Sequence, residues 1–117
     1  MKTHHDLEVW NKSVELVTEI YKVTESFPKS ELYGLTNQIR RSAVSIPSNI
    51  AEGAARASSK ELLQFLSVAL GSVAELETQL IVSGNLNFID KNHLDLLLSQ
   101  IVTIRKMITG LKKSIST

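Results

Sequence analysis

The chain has 117 residues, of which 43% are hydrophobic and 5% aromatic, so we expect one domain with an aliphatic core. It has no cysteine, which excludes disulfides and thiolate metal sites and fits a reducing, cytoplasmic compartment. The formal net charge of +1 means that attraction to nucleic acid or to a membrane must come from local patches.

The first predicted helix covers about residues 7–25 and carries two adjacent apolar stripes. Each stripe repeats every three or four residues, and together they cover about half of the helix circumference. This apolar face is wider than the a/d seam of a coiled coil, so the helix has more apolar surface than one such seam would bury. The stripes are Leu7, Trp10, Val14, Val17 and Tyr21 in one row, and Val9, Leu16, Ile20, Val23 and Phe27 in the other.

The second predicted helix follows a connector that begins at Pro28, and it covers about residues 32–52. Pro47 lies inside it and removes the hydrogen bond to the carbonyl of Ala43, so we expect a kink there. Gly53 is predicted to end the helix, because glycine adopts the left-handed conformation of helix C-caps. The apolar face is Ile39, Ala43, Ile46 and Ile50, and the opposite polar ridge is Arg41, Ser45, Ser48, Asn49 and Glu52.

The polar ridge has two interpretations. It is either a catalytic or binding cluster, or a clasp that tolerates the kink by placing a serine hydroxyl near the freed carbonyl of Ala43. We favour the clasp, because no serine has the strand-turn-helix context of a catalytic nucleophile. Whether the ridge faces a neighbouring subunit or a ligand stays open.

Ser58 and Glu61 form the capping-box pattern that begins the third predicted helix, and Asp90 is the predicted N-cap of the fourth. Both helices carry apolar rows with alternating spacings of three and four, and a turn at Gly84 and Asn85 separates them. The rows are Leu62, Leu66, Ala69, Val73, Leu76 and Leu80 in the third helix, and Leu94, Leu97, Ile101, Ile104, Ile108, Leu111 and Ile115 in the fourth.

Four amphipathic helices with short links predict an all-α, antiparallel up-down-up-down four-helix bundle that spans residues 1–117 as a single domain. The apolar faces are wider than one bundle needs, and exposed apolar stripes promote association. We therefore predict a homo-oligomer. The alternative is that a compact bundle buries these wide faces by itself.

The sequence has no motif of an enzyme, cofactor site or metal site. It lacks a paired acid and base, a glycine-rich phosphate loop and a helical His-x-x-x-His pattern, so we predict a non-enzymatic protein without cofactors. His4 and His5 lack further ligands, which argues against a metal site. No secretory signal and no uninterrupted apolar run of membrane-spanning length is present, so we expect no membrane partner.

Basic residues form the one candidate binding surface. They fall on one arc of the fourth helix and around the second link, and their cations are suited to the phosphates of RNA or DNA. The alternative is a solvated helix face with favourable charge at a helix C-terminus. No aromatic residue is interleaved with them, which argues against base stacking on single strands. The candidates are Arg40, Arg41, Arg56, Arg105, Lys106, Lys112 and Lys113, with Lys60 beside the second link.

Residues 33–80, and above all the core SIPSNIAEG, resemble the signature of the four-helix-bundle family known as the 23S rRNA intervening-sequence proteins. Ala54 and Ala55 stand where that family often has a segment with an aromatic residue, so this link has no stacking group. The matching positions are Arg41, Ser45, Pro47, Asn49, Glu52, Gly53, Arg56 and Ser59.

The resemblance implies a homopentameric bundle with no known enzymatic activity. The family is also similar to the accessory variability determinant of diversity-generating retroelements, a pentameric barrel that binds nucleic acid and a reverse transcriptase. Our first hypothesis is therefore an oligomeric scaffold that binds RNA or DNA. The alternatives are a protein–protein interaction module, in which a partner helix covers an exposed stripe, and a retroelement accessory protein that does not itself bind nucleic acid.

Overall fold

The computed structural model describes residues 3–116, and all regular elements in that range are helical. The predicted all-α class with four main helices is therefore confirmed. These helices are α1 (Glu8–Thr24), α2 (Leu35–Ala54), α3 (Ser59–Asn85) and α4 (Lys91–Ser116). Two 3₁₀ turns, His4–Asp6 and Lys29–Glu31, precede α1 and α2.

Helices α2 and α3 run antiparallel, because Ser45 lies beside Ser72 and Gly53 beside Phe65, and α3 and α4 do the same. Lys112 in α4 bonds to Ser67 in α3 at 2.8 Å, while Arg105 pairs with Glu77 at 3.5 Å, so residue numbers rise along α4 as they fall along α3. Each helix packs against the next, and α4 packs against α1. The four helices thus form a closed bundle with extents of 44 × 24 × 19 Å.

The core is made of the apolar rows that the sequence predicts. Ile39, Ala43, Ile46 and Ile50 of α2 have no exposed surface, and the second stripe of α1 supplies Val9, Leu16 and Ile20. The rows of α3 and α4 face the same interior, with Leu66, Ala69, Val73, Leu76 and Leu80 from α3, and Leu97, Ile101, Ile104 and Ile108 from α4. Each buried aliphatic side chain contributes about 1.5–3 kcal/mol, which makes these rows the main source of stability.

Side-chain caps fix the starts of α3 and α4. The Ser58 hydroxyl accepts from the Glu61 amide at 3.2 Å, although the Glu61 carboxylate accepts from the Ser58 hydroxyl and not from its amide. Asp90 accepts from the amide of His93 at 2.9 Å and contacts its ring Nδ1 at 2.6 Å. The hydrogen bond from the His93 amide, followed by the bond from its ring, lowers the pKa of Asp90 below the ordinary value of 3.8.

Gly53 does not end α2, and its predicted role as a C-cap is wrong. The helix continues through Gly53 to Ala54, and no glycine among the described residues has a positive φ. The reason for glycine is instead the close approach of α3. A Cβ at this position would lie 2.8 Å from the Cβ of Phe65 and 3.0 Å from Cδ1 of Leu62.

Pro47 lies within α2, which is helical on both sides of it from Leu35 to Ala54. Its side chain is buried. Proline has no backbone N–H, so Pro47 donates no hydrogen bond to the carbonyl of Ala43, four residues earlier. The kink that the sequence suggests at Pro47 stays a prediction.

Candidate functional site

The seven predicted phosphate-binding residues do not form one surface. Arg56 lies at the link between α2 and α3, where it pairs with Glu52 at 2.6 Å and with Glu61 at 3.8 Å. Its guanidinium also stacks over the ring of Phe65, 5.0 Å from the centroid. Two carboxylates thus offset the charge of Arg56, which leaves it poorly placed as a free phosphate ligand.

Arg40 is held against α1. Its guanidinium lies 4.6 Å from the centroid of the Tyr21 ring, and its Nε donates to the hydroxyl of buried Thr24 at 2.9 Å. The absence of aromatic residues among the basic ones is a property of the sequence and not of the folded protein. In space, Tyr21 lies beneath Arg40 and Phe65 beneath Arg56, because neighbouring helices supply the rings.

Three lysines surround a groove between the N-terminal half of α3 and the C-terminal end of α4. The groove has a volume of about 640 Å³, and no acidic residue lines it. Leu63 and Leu70 supply its apolar surface, and the Nζ of Lys112 donates to the hydroxyl of Ser67 across it. We call this site the lysine groove; its cations are Lys60, Lys112 and Lys113.

Arg105 and Lys106 lie nearer the middle of α4. Arg105 pairs with Glu77 of α3 at 3.5 Å, and Lys106 is exposed to solvent. The structure therefore brings Lys112 and Lys113 together with Lys60 and separates them from the arginines of α2. The arc on α4 was visible as a helical spacing, whereas the addition of Lys60 depends on the pairing of α3 with α4.

A second, polar groove lies between α2 and α3 and has a volume of about 380 Å³. Arg41 lines it from α2, and Glu75 lines it from α3. Neither forms an ion pair within residues 3–116. We call this site the polar groove; its residues are Asn37, Gln38, Arg41, Ser42, Ser45, Ser72, Glu75 and Gln79.

A chain of hydrogen bonds crosses one end of the polar groove. The amide nitrogen of Asn49 donates to the Ser45 carbonyl at 2.7 Å and to the Ser45 hydroxyl at 2.9 Å. The Ser45 and Ser72 hydroxyls are 2.7 Å apart, and the Ser72 hydroxyl donates to the Val68 carbonyl at 3.3 Å. Since Ser45 accepts from Asn49, its own proton is free to reach Ser72.

This chain differs from the clasp that we predicted at the Ala43 carbonyl. The side-chain donor is Asn49, and the carbonyl that it bonds is that of Ser45. Of the other ridge residues, Glu52 pairs with Arg56, and Ser48 is exposed. The ridge therefore divides into residues that join α2 to α3 and residues that face solvent.

The outward side of α3 is apolar and lies between the two grooves. Val68 is 52% exposed, and Ile81 and Val82 are exposed by 43% and 41%. Gly71 and Ala74 lie on the same side, where Glu75 is the only exposed charged residue between Leu62 and Asn85. We call Val68, Gly71, Ala74, Ile81 and Val82 the α3 outer face. By length and composition alone α3 is apolar enough to cross a membrane, a test that core helices of soluble proteins also pass.

The described residues contain no group of three or more His, Cys, Asp or Glu that could hold a metal ion. His4 and His5 instead pack edge-on against Trp10, with ring centroids 4.8 Å and 4.9 Å away. They therefore have a visible packing role at the start of α1.

Comparison with known proteins agrees with this architecture. A structural neighbour is a crystallised protein of unknown function from the S23 ribosomal protein family of Bacteroides thetaiotaomicron. It superimposes with a TM-score of 0.81 at 25% sequence identity, over 90% of this chain and 98% of the neighbour. No protein of curated function matches the sequence.

The sequence profile of the 23S rRNA-intervening sequence protein family matches residues 5–110. That range includes all of α1, α2 and α3 and most of α4. It also includes the SIPSNIAEG core that carries the resemblance to this family. The chain belongs to the 23S rRNA-intervening sequence protein family.

Proposed function

We propose that this protein is a non-enzymatic, self-associating bundle that serves as a scaffold and binds RNA or DNA through the lysine groove. The observation that carries the proposal is the convergence of Lys60, Lys112 and Lys113 on one groove without an acidic residue. Cations gathered in this way attract phosphates and displace their counterions, even when the net charge of the chain is only +1.

The salt dependence of the affinity tests the proposed binding of nucleic acid. Fluorescence anisotropy with a labelled single-stranded RNA and a duplex DNA gives the slope of log affinity against log salt. If the three lysines contact three phosphates, K60Q/K112Q/K113Q should reduce the single-strand slope by about 2. The predicted basic residues of α4 are tested alongside by R105A/K106A/K112A/K113A, and full affinity in that variant would count against this surface.

A matched control variant distinguishes binding at the lysine groove from a general effect of positive charge. K22Q/K29Q/K91Q removes the same number of charges from the opposite end of the bundle, where α1 ends and α4 begins. We expect this variant to keep most of the affinity and slope. Equal losses in both triple variants would mean that binding is diffuse and that the lysine groove has no special role.

The α3 outer face supports self-association. It is a nearly uncharged surface, and such surfaces commonly mark protein–protein contacts. Light scattering should give a mass above that of a monomer, and V68K/V82K should reduce that mass. L96K is the control, because Leu96 is 66% exposed on α4, outside the α3 outer face. A strictly monomeric wild-type protein at micromolar concentration would overturn this part.

The same face favours a second candidate function, a protein–protein interaction module. A partner helix with an apolar stripe would then cover Val68 and Val82 in place of a second copy. Three results together would favour this function over the first. The bundle would capture one protein in a salt-insensitive way, V68K/V82K would lose that capture, and the bundle would have no affinity for nucleic acid.

A further inference from the structure

The polar groove contains polar atoms that the protein itself leaves without partners. The Oε1 of Gln79 is buried and has no hydrogen bond within the described residues. The hydroxyl of Ser42 also has no bond to another described group, but its oxygen is not fully buried and is open to the groove. Buried polar groups in proteins are nearly always bonded, so the unpartnered oxygen of Gln79 marks a wall of this groove where a polar partner is missing.

Charge in the groove is arranged as an opposed pair. Arg41 offers donors from α2, and Glu75 offers acceptors from α3, yet no ion pair joins them. A ligand that fits must therefore present acceptors on one edge and donors on a neighbouring edge. Guanine does so: O6 and N7 accept from an arginine, while N1–H and the N2 amine donate to a carboxylate.

A planar surface lies beside this pair. The cavity between α1 and α2 has a volume of about 470 Å³ and shares Asn37, Arg41 and Ser45 with the polar groove. Its wall includes the guanidinium of Arg40, whose Cζ lies over the Tyr21 ring, 4.6 Å from the centroid. Unstacked bases in protein complexes commonly rest on such guanidinium planes and aromatic rings.

We propose that the polar groove binds one unstacked guanine of a single-stranded nucleic acid, with Glu75 accepting from N1–H and N2–H and Arg41 donating to O6 and N7. Arg40, supported by Tyr21, covers the face of the base. This inference rests on the proposed nucleic-acid binding and adds a base preference to it. Adenine is disfavoured, because it presents an acceptor at N1 where Glu75 requires a donor.

The test uses labelled uridine-rich RNA oligonucleotides that differ only at one central base. We expect guanine there to bind about tenfold tighter than adenine or uridine, the discrimination typical of one bidentate contact. Inosine lacks the N2 amine and 7-deazaguanine lacks N7, so each should lose part of that preference. Equal affinity for all central bases would overturn the proposal.

Protein variants assign the preference to this groove. E75Q and R41K should abolish the preference for guanine, whereas E25Q, which removes a negative charge from the exposed end of α1, should keep it. K60Q/K112Q/K113Q should lower the salt slope but leave the ratio between guanine and adenine unchanged. A preference that survives in both E75Q and R41K contradicts the site.

The outcomes distinguish the two proposals. Salt-dependent binding without base preference retains the proposed function and overturns the guanine site. Failure of every oligonucleotide to bind overturns both. Circular dichroism of each variant, compared with the wild type, establishes that a lost preference does not come from unfolding.

Discussion

The hydroxyls of Ser45 in α2 and Ser72 in α3 lie 2.7 Å apart and join the two helices by a direct side-chain hydrogen bond. Asn49 orients the first hydroxyl, and the Val68 carbonyl accepts from the second. Because each hydroxyl is both donor and acceptor, the four groups form one directed chain. This chain fixes the register of α2 against α3 beside the polar groove.

Ser72→Ala should destabilise the fold. The change leaves the Ser45 hydroxyl without its partner on α3, and we expect a loss of about 1–2 kcal/mol in the free energy of unfolding, measured by urea denaturation. Ser48→Ala is the control, because Ser48 is exposed, and it should change stability by less than about 0.5 kcal/mol. Additive effects in a Ser45→Ala/Ser72→Ala double-mutant cycle would contradict the coupling.

Gly53→Ala and Gly71→Ala should change stability in opposite directions. At Gly53 the new Cβ meets the Cβ of Phe65 at 2.8 Å, so we expect a loss of about 1–3 kcal/mol from overpacking. At Gly71 nothing lies within 4 Å, and the better helix propensity of alanine should stabilise by about 1 kcal/mol. Thermal unfolding of both variants checks this. A stabilised Gly53→Ala would mean that α2 and α3 separate easily.

Thr36→Val should stabilise the protein or leave it unchanged. The hydroxyl of Thr36 is buried and has no hydrogen-bond partner within the described residues, and valine replaces it with a methyl group of similar shape. Removing an unsatisfied buried hydroxyl relieves a desolvation penalty of about 1–3 kcal/mol. Thr36→Ala is the comparison, since it also removes the methyl group and opens a cavity. A marked loss of stability in Thr36→Val would show that the hydroxyl is bonded in solution.

The Asp90 cap predicts a pH dependence of stability. The pKa of Asp90 is lowered in the folded state, so its carboxylate stabilises the fold above the ordinary value of 3.8. That contribution is lost as pH falls from 3.8 through the lower pKa of the folded protein. Asp90→Asn keeps a cap acceptor but cannot titrate, so its unfolding free energy should vary less with pH across this window. Asp95→Asn, on the exposed side of α4, should retain the wild-type slope.

Pro47→Ala tests the role of the proline in α2. Alanine restores a backbone donor inside the helix, so we expect a straighter α2, an unchanged monomer fold and altered assembly. Circular dichroism reports the helix content, and light scattering reports the mass. An unchanged mass would make Pro47 incidental to assembly.

The core was predictable because helical periodicity depends only on local spacing. The row of Ile39, Ala43, Ile46 and Ile50 is fully buried, as its spacing of four, three and four indicated. The C-cap role predicted for Gly53 was wrong because its backbone conformation does not require glycine. Glycine is required by the close approach of Phe65, which is 12 residues away in the chain. A contact of this kind leaves no local pattern in the sequence.

The candidate sites were predictable only in part for the same reason. Lys112 and Lys113 stood out as an arc on α4, but Lys60 joins them only because α3 and α4 are antiparallel. The stacking of Arg40 on Tyr21 and the opposition of Arg41 to Glu75 likewise depend on how separate helices pack. Charge and composition do not reveal such pairings.

The α3 outer face separates the lysine groove from the polar groove. From Leu63 to Glu75 the distance along the axis is about 18 Å at 1.5 Å per residue, which a strand stacked at 3.4 Å per nucleotide covers with about five nucleotides. A ligand that occupies both grooves must therefore lie across Gly71 and Ala74, the surface on which subunits would meet. Oligomerisation and nucleic-acid affinity should then be thermodynamically linked, with the apparent footprint and affinity changing as protein concentration rises.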